Sequence, residues 1–315
     1  MIKEQGGNIL KAIQLDNYGP VTGLNEIDTE TPALLKKQVL VKNHAVAIDP
    51  YDVKFIAGKM GTSEELPLIP GSSVVGEVVA IGSDVTDFKV GDRIAATRHQ
   101  KTYAELVPVG QSAATKAPDD IDDVHAVAAV IGAATGYQMI HRDLNVQPGQ
   151  KVLVQGGAGA VGSVAVQAAL NIGAQVYATA KPADFDYLKS FGDVTPVDYH
   201  TAYESELSDF DAVLDTIGGS VSIQSAKILK TGGVLRSIAG LDEKVLSDFD
   251  IDAANTFSDG KRPNLEALFA DMAAGKITFR IGQVLPFTLA NLRDIHEQAR
   301  QHSLQGKAVL TFDTF

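Results

Sequence analysis

The 315-residue sequence predicts an α/β protein, a doubly wound parallel sheet joined to a second, β-rich domain. Three observations predict it. From Gly149 onwards, short apolar runs alternate with helical patterns, the mark of βαβ units with right-handed crossovers. Before that, from Leu10 to Val109, valine-rich segments are broken by glycine and proline at short intervals, as in a small barrel or sandwich. Between the two lies Lys151–Gly173, KVLVQGGAGAVGSVAVQAALNIG, which passes from strand through a glycine cluster into a helix.

Taken in order, Leu10–Leu15 and Gln38–Ala47 alternate and read as strands. DPYDVKFIAG, from Asp49 to Gly58, is too short and mixed to assign. LPLIPGSSVVGEVVAIGSDV, FKVGDRIAA and TYAELVPV supply further short β segments. The composition shifts around Ala117–Asp123, and Val124–Ile140 is alanine-rich and helical. Strands follow at 151–155, 175–180, 194–197, 211–216 and 233–239, with helices near 160–172, 184–191, 201–208 and 220–230. Beyond Gly260 come helices at 264–274 and 288–300, the second with Leu289, Leu292, Ile295 and Ala299 on one face. Ala308–Phe312 is the last strand.

Gly157, Gly159 and Gly162 form G-x-G-x-x-G. Gly157 is assigned the tight turn out of the strand, Gly159 the close approach of backbone to a pyrophosphate, and Gly162 the packing of helix on strand. The first helical turn then faces its N–H groups and dipole toward an anionic diphosphate. In a chain with 29 glycines the pattern alone is weak. The strands on either side, the small residues Ala165, Ala168 and Ala169, and the C-cap glycine Gly173 make it a dinucleotide site.

Composition narrows the function classes. No stretch approaches the length of a membrane span, and MIKEQGGNIL has no signal-peptide core, so a cytoplasmic protein is expected. The absence of cysteine excludes disulfides, a thiol nucleophile and cysteine-ligated metals. A net charge of −12 argues against nucleic acid or anionic membrane as partner and says little else.

The ordered motifs ILKAIQLDNYGP, DPYDVKFIAG, LPLIPGSSVVGEV, VGDRI, YAELV, GAATGYQMI, VLVQGGAGAVG, FDAVLDTIGG, LKTGGVLRSIAG and GKAVLTF resemble a known family in order and spacing. From Leu10 to Phe312 the chain is similar to zinc-independent members of the medium-chain dehydrogenase/reductase superfamily, close to the NADPH:quinone oxidoreductases. The resemblance implies a GroES-like β-rich catalytic domain built from residues 1–123 and 264–315. It implies a Rossmann domain at 124–263, cofactor and substrate in the cleft, and a homodimer. It also implies cofactor contacts at Thr135, Ala160, Val161, Ile217 and Ala239 besides the three glycines.

An NAD site carries an acid about 20 residues past the glycines, to bind the ribose 2′-OH. Here YATAKP offers none at Thr179, Ala180 or Lys181. Lys181 can pair with a 2′-phosphate, and Tyr199 falls where the quinone oxidoreductases place a tyrosine beside it. The expected cofactor is NADPH. The alternative is that Lys181 is an ordinary exposed lysine; Asp184 could mimic the acid, but it lies beyond Pro182 and is expected to open the next helix.

Where zinc-dependent relatives place cysteine and histidine, this chain has Asp49–Pro50–Tyr51–Asp52 and Gly71–Ser72–Ser73. Its seven histidines include no pair at i,i+3 or i,i+4. No catalytic metal is expected. What remains is hydride transfer by placement onto a quinone or an enone, either of which accepts hydride without a metal. Tyr51 is the candidate proton donor, or else a packed aromatic. Asp49 replaces the family's asparagine, and with Asp52 on the same turn each carboxyl would raise the other's pKa. Asp49 is then either a protonated donor or a solvated carboxylate. Ser73 replaces an aspartate and is expected to affect local structure. A protein that binds NADPH without turnover is the remaining alternative.

Overall fold

The computed structural model describes residues 9–61, 64–241, 246–301, 303–304 and 306–312; the polar extension before residue 9 and His302 lie outside them. The chain divides into two units, residues 1–131, 260–269 and 280–315 in the first and 132–259 and 270–279 in the second.

The first unit opens with β1 (Leu10–Leu15) paired antiparallel to β2 (Leu24–Thr29). A larger sheet follows from β3 (Gln38–Ile48), β4 (Ser73–Ile81), β5 (Arg93–Thr97), β6 (Leu106–Gly110) and β7 (Ala114–Lys116). Between β3 and β4, the unassigned DPYDVKFIAG forms helix α1 (Pro50–Ile56). Asp49 is its N-cap and Pro50 takes the first position, where a missing N–H leaves nothing unpaired. Seven residues are too few for a helical period to show, yet they bury Asp52, Phe55 and Ile56. Helix α2 (Asp123–Ala128) is capped by Asp122, whose carboxylate accepts from the His125 N–H at 2.8 Å. The helix expected over Val124–Ile140 is interrupted by π-helical turns at Ala129–Ala133 and Met139–Asp143 around α3 (Ala134–Gln138).

The second unit holds β8 (Lys151–Val154), β9 (Gln175–Ala180), β10 (Val194–Asp198), β11 (Phe210–Asp215), β12 (Leu229–Ser237) and β13 (Ile251–Asn255). All are parallel, in the order β10-β9-β8-β11-β12-β13. The order reverses between β8 and β11, and in such sheets ligands bind at the carboxyl ends of the strands beside that reversal. Helices α4 (Gly162–Ile172), α5 (Phe185–Lys189) and α6 (Ser220–Ile228) connect the strands. Gly173 caps α4 at φ 91°, a left-handed conformation that glycine adopts without strain. The helix expected near 201–208 is only a 3-10 turn, Tyr203–Ser205. That segment has the length of a helix but no apolar stripe to bury. Strand β13 had no sequence signal, because DIDAAN is polar and small and lies at the sheet edge.

Beyond Gly260 come α7 (Arg262–Ala273), β14 (Ile281–Pro286), α8 (Leu289–Arg300) and β15 (Lys307–Thr311). The Thr288 hydroxyl caps α8 by accepting from the Asn291 N–H at 3.1 Å. Strand β15 pairs antiparallel with β3 and parallel with β14, giving the order β14-β15-β3-β4-β5-β7 with β6 also on β3. The reason is burial. Leu292, Ile295 and Leu310 share one core with Ile13, Leu15, Leu24, Phe55 and Ile56. Among the described residues no helix is long and apolar enough to cross a membrane.

Candidate active site

In the second unit the glycine turn is tied to the end of β9. The Gly156 N–H donates to Thr179 Oγ1 at 2.9 Å and the Gly157 N–H to the Thr179 carbonyl at 2.8 Å. The turn requirement assigned to Gly157 falls instead on Gly156, which sits at φ 65°. Gly157 is needed for contact: a Cβ there would lie 2.6 Å from Ala178 Cβ. A Cβ at Gly162 would lie 2.2 Å from the Gly156 carbonyl oxygen, so α4 starts against the turn itself. Gly159 differs. Its Cβ would meet only the Gly156 oxygen at 3.3 Å, and the position is exposed, as is Ala160. The protein fills the space at two glycines of the motif and leaves it open at the third, at the first turn of a buried helix. That is the shape a dinucleotide pyrophosphate requires, so the residues fit the group.

A buried polar network supports this turn. Gln155 Oε1 accepts from Thr179 Oγ1 at 2.8 Å, and its Nε2 donates to Tyr203 Oη at 2.8 Å and Ser225 Oγ at 3.0 Å. Asp215, fully buried, accepts from the N–H groups of Ile217 and Gly218 at 2.8 and 2.9 Å and from Ser222 Oγ at 2.5 Å. This folds the β11–α6 loop so that Ile217 lies over Gly156, where an added Cβ would come 3.1 Å from Ile217 Cδ1. A Cβ at Gly218 would likewise lie 2.8 Å from the Ala239 carbonyl. Gly136 brings α3 against the same turn, 2.2 Å from the Val161 oxygen in the same sense, with the buried Thr135 beside it. Sequence reasoning missed Gln155, whose partners lie up to 70 residues away, and Asp215, whose partners lie within seven.

Lys181 and Tyr199 follow the carboxyl ends of two adjacent strands. Ala180 and Asp198 are register partners in β9 and β10, so the next residue on each strand is Lys181 and Tyr199. Both side chains are about half exposed, and Lys181 Nζ lies 3.8 Å from Asp184 Oδ2. Gly157, Gly159, Ala160, Val161, Gly162, Lys181, Tyr199, Ile217 and Ala239 thus follow the carboxyl ends of strands of the parallel sheet, and Thr135 lies in α3 beside Gly136.

The second cluster belongs to the first unit. Asp49 is 1% exposed and ion-paired with Lys307, itself 4% exposed. The register explains the meeting: Ala308 pairs with Ile48, which sets Lys307 opposite Asp49. Of the two alternatives for Asp49, substrate donor or solvated carboxylate, the structure shows neither; its carboxylate is buried against a lysine. Asp52, also 1% exposed, accepts from the Asp49 N–H at 2.9 Å. Burial, and after it the Asp49 charge, pushes the Asp52 carboxyl up to about 7 from 3.8, against the opposing pull of the Ser72 hydroxyl, the Asp49 N–H and Lys307. Ser73 ties β4 to β3: its buried hydroxyl accepts from the Ala47 N–H at 3.0 Å and donates to the Ala47 carbonyl at 3.2 Å. Ser73→Ala should therefore lose about 1–3 kcal/mol of stability, since both partners stay buried. Urea unfolding checks this; an unchanged midpoint would refute it.

Tyr51, half-buried at the start of α1, stacks on Phe55 at 6.1 Å between centroids, and its hydroxyl is hydrogen-bonded to His99 Nδ1. His99 Nε2 lies 3.3 Å from Glu64 Oε1. Burial first, then the charges of Asp52 and Glu64, raises the Tyr51 phenol above its ordinary pKa. Nothing in the sequence joined Tyr51 to His99, 48 positions apart.

Known proteins match this architecture. The family model for the alcohol dehydrogenase GroES-like domain matches residues 35–150, and that for zinc-binding dehydrogenase matches residues 191–310. A chloroplastic quinone-oxidoreductase of Triphysaria versicolor is 30% identical over 66% of this chain and 68% of its own length. The chain belongs to the medium-chain dehydrogenase/reductase superfamily. A chloroplastic NADPH-dependent alkenal/one oxidoreductase of Arabidopsis thaliana is 28% identical over 96% of this medium-chain reductase and 79% of its own length. The solved quinone oxidoreductase of Coxiella burnetii superimposes with a TM-score of 0.88 at 28% identity, covering 96% of the reductase and 99% of that chain. The reductase has no cysteine, and among its described residues no three or more histidine or carboxylate side chains group as a metal site.

Proposed function

We propose that the protein is an NADPH-dependent reductase that transfers hydride to a quinone without zinc. The observation that carries this reading is the placement of Lys181 and Tyr199 just past the ends of adjacent strands, beside a glycine turn exposed at Gly159. The 2′-phosphate of NADPH suits a half-exposed lysine and an aromatic ring, and it would compete with Asp184, 3.8 Å away, as the partner of Lys181. A bound nicotinamide would supply the hydride. The chain's own residues would hold the pyrophosphate at Gly159, Ala160 and Val161, flank the turn with Thr135, Ile217 and Ala239, and read the phosphate with Lys181. In the first unit Tyr51 would offer the proton that a reduced carbonyl requires.

A second reading is reduction of the C=C bond of α,β-unsaturated carbonyls. It draws support from the relative named an alkenal/one oxidoreductase, which aligns over nearly the whole chain. NADPH oxidation followed with quinones, enals and alcohols separates the two. Turnover of alcohols alone would sink both.

Lys181→Ala should weaken NADPH binding by about 1–3 kcal/mol, the range of a charge-assisted hydrogen bond, and leave NADH binding unchanged. Titrations with the two cofactors measure it. Equal losses would show that Lys181 does not contact the phosphate.

A further inference from the structure

We propose that His99 and Glu64 form a proton-supply chain behind Tyr51, in which the charge on His99 decides where the Tyr51 proton points. The proposal rests on the reductase reading above for its substrate, and on the structure for its geometry. Tyr51, Phe55 and His99 pack as a ring cluster, with His99 5.7 Å from each of the other two between centroids. One imidazole nitrogen meets the Tyr51 hydroxyl and the other faces the Glu64 carboxylate. The backbone just after His99 is strained. Gln100 and Lys101 are successive non-glycine residues at φ 69° and 70°, held by the Lys101 N–H donating to the Ile69 carbonyl at 2.8 Å and the Thr102 N–H to the Pro70 carbonyl at 3.1 Å. Strain of this kind persists only where the surroundings impose it, and it concentrates at functional sites.

The chemistry follows from lone pairs. A tyrosine hydroxyl has one proton to donate and two lone pairs to accept with. When His99 is an imidazolium, Nδ1–H donates to the Tyr51 oxygen, Nε2–H donates to Glu64, and the phenol proton is free to go to substrate. When His99 is neutral, with its proton on Nε2 beside Glu64, Nδ1 is an acceptor and the phenol proton turns inward onto it. A phenol with a raised pKa gives up its proton readily only if another replaces it, which the imidazolium does. In the step, hydride from a bound nicotinamide would form one new bond on the substrate with its electron pair, and the Tyr51 O–H bond would break as its proton forms the second, O–H for a quinone or C–H for an enone. The Nδ1 proton then restores the phenol, and the exposed imidazole takes its replacement from solvent. The titratable groups facing the cluster are Glu64, Asp52 and Tyr18, whose hydroxyl donates to the Glu64 carbonyl at 3.3 Å; Gln100 Nε2 lies 3.3 Å from His99 Nε2. Tyr51 is the catalytic residue and His99 and Glu64 are positioning residues acting through it.

Two measurements on the full-length protein test the chain. The first is the pH profile of kcat with NADPH and one quinone for wild type, Tyr51→Phe and His99→Gln. Wild-type kcat should fall as rising pH removes the His99 proton. Tyr51→Phe should lose about a hundredfold in kcat with KM little changed, the scale of a lost general acid. His99→Gln should be slower and flat with pH. A His99→Gln profile superimposable on wild type would overturn the proposal. The second, NMR titration of the His99 ring without cofactor, needs no activity. Glu64→Gln should move the titration to lower pH and Tyr51→Phe should shift the Nδ1 resonance; indifference to both would overturn the chain. Should wild type reduce no quinone or enone, the reductase reading fails, and the ring titration alone decides the contact.

Discussion

Lys307→Met should destabilise the protein by about 3–5 kcal/mol, because it strands the buried Asp49 carboxylate without a cation. Methionine matches the lysine stem closely, so lost packing contributes little and the missing charge dominates. Urea unfolding at pH 8 measures the loss, and a stability within 1 kcal/mol of wild type, on the scale of an exposed pair, would refute a buried one. Asp52 supplies the pH dependence. Its carboxyl is raised from 3.8 to about 7, so between those values the folded chain binds more protons than the unfolded chain. The contribution of Asp52 to stability is therefore present at low pH and lost as pH rises through the window, with a slope of at most about 1.4 kcal/mol per pH unit. Asp52→Asn keeps an oxygen for the Asp49 N–H and cannot ionise. It should remove that slope and leave the variant more stable than wild type at pH 8. Parallel stability curves for the two proteins from pH 4 to 8 would contradict this.

Substitutions at the second and third glycines of the motif should separate folding from binding. Gly159→Val should fold with a wild-type melting temperature yet lose at least about a hundredfold in NADPH affinity, roughly 3 kcal/mol. Beside Gly159 an added Cβ meets only the Gly156 oxygen, at 3.3 Å, and a valine would occupy what the pyrophosphate needs. Gly162→Ala adds a single methyl, but it would sit 2.2 Å from the Gly156 oxygen and 2.8 Å from Gly157 Cα, both backbone atoms that no rotamer can move aside. That variant should lose stability and binding together. Calorimetric melting and a fluorescence titration with NADPH read both effects. A stable Gly159→Val that binds NADPH normally would reduce the motif to a turn.

Much of the second unit was legible, because the strand-to-helix alternation and the glycine spacing are local patterns. The strand missing from that reading, β13, is polar and lies at the edge, where burial writes no pattern into the sequence. In the first unit the sequence located Asp49, Tyr51 and Asp52 without giving their environment. Asp49 depends on Lys307, 258 positions away, and Tyr51 on His99. Neither partner carries a local signal: Lys307 looks like the polar start of a strand, and His99 like one more residue of an exposed turn. The assignment of the tight turn to Gly157 rather than Gly156 failed by one residue. Spacing in a motif does not say which glycine has the positive φ.

The placement of β15 between β14 and β3 also bears on synthesis. Strand β7 ends at Lys116, and β14 begins at Ile281, about 165 residues later. At translation rates of roughly 5–20 residues per second, the ribosome takes about 10–30 s to cover that interval. Throughout it the β3 backbone at residues 45–48 lacks its partner strand and Asp49 has no lysine. Strands β8 to β13 all emerge inside the same interval and can assemble from contacts already made. The nascent chain therefore completes its parallel sheet first, and the sheet that holds β3 closes last.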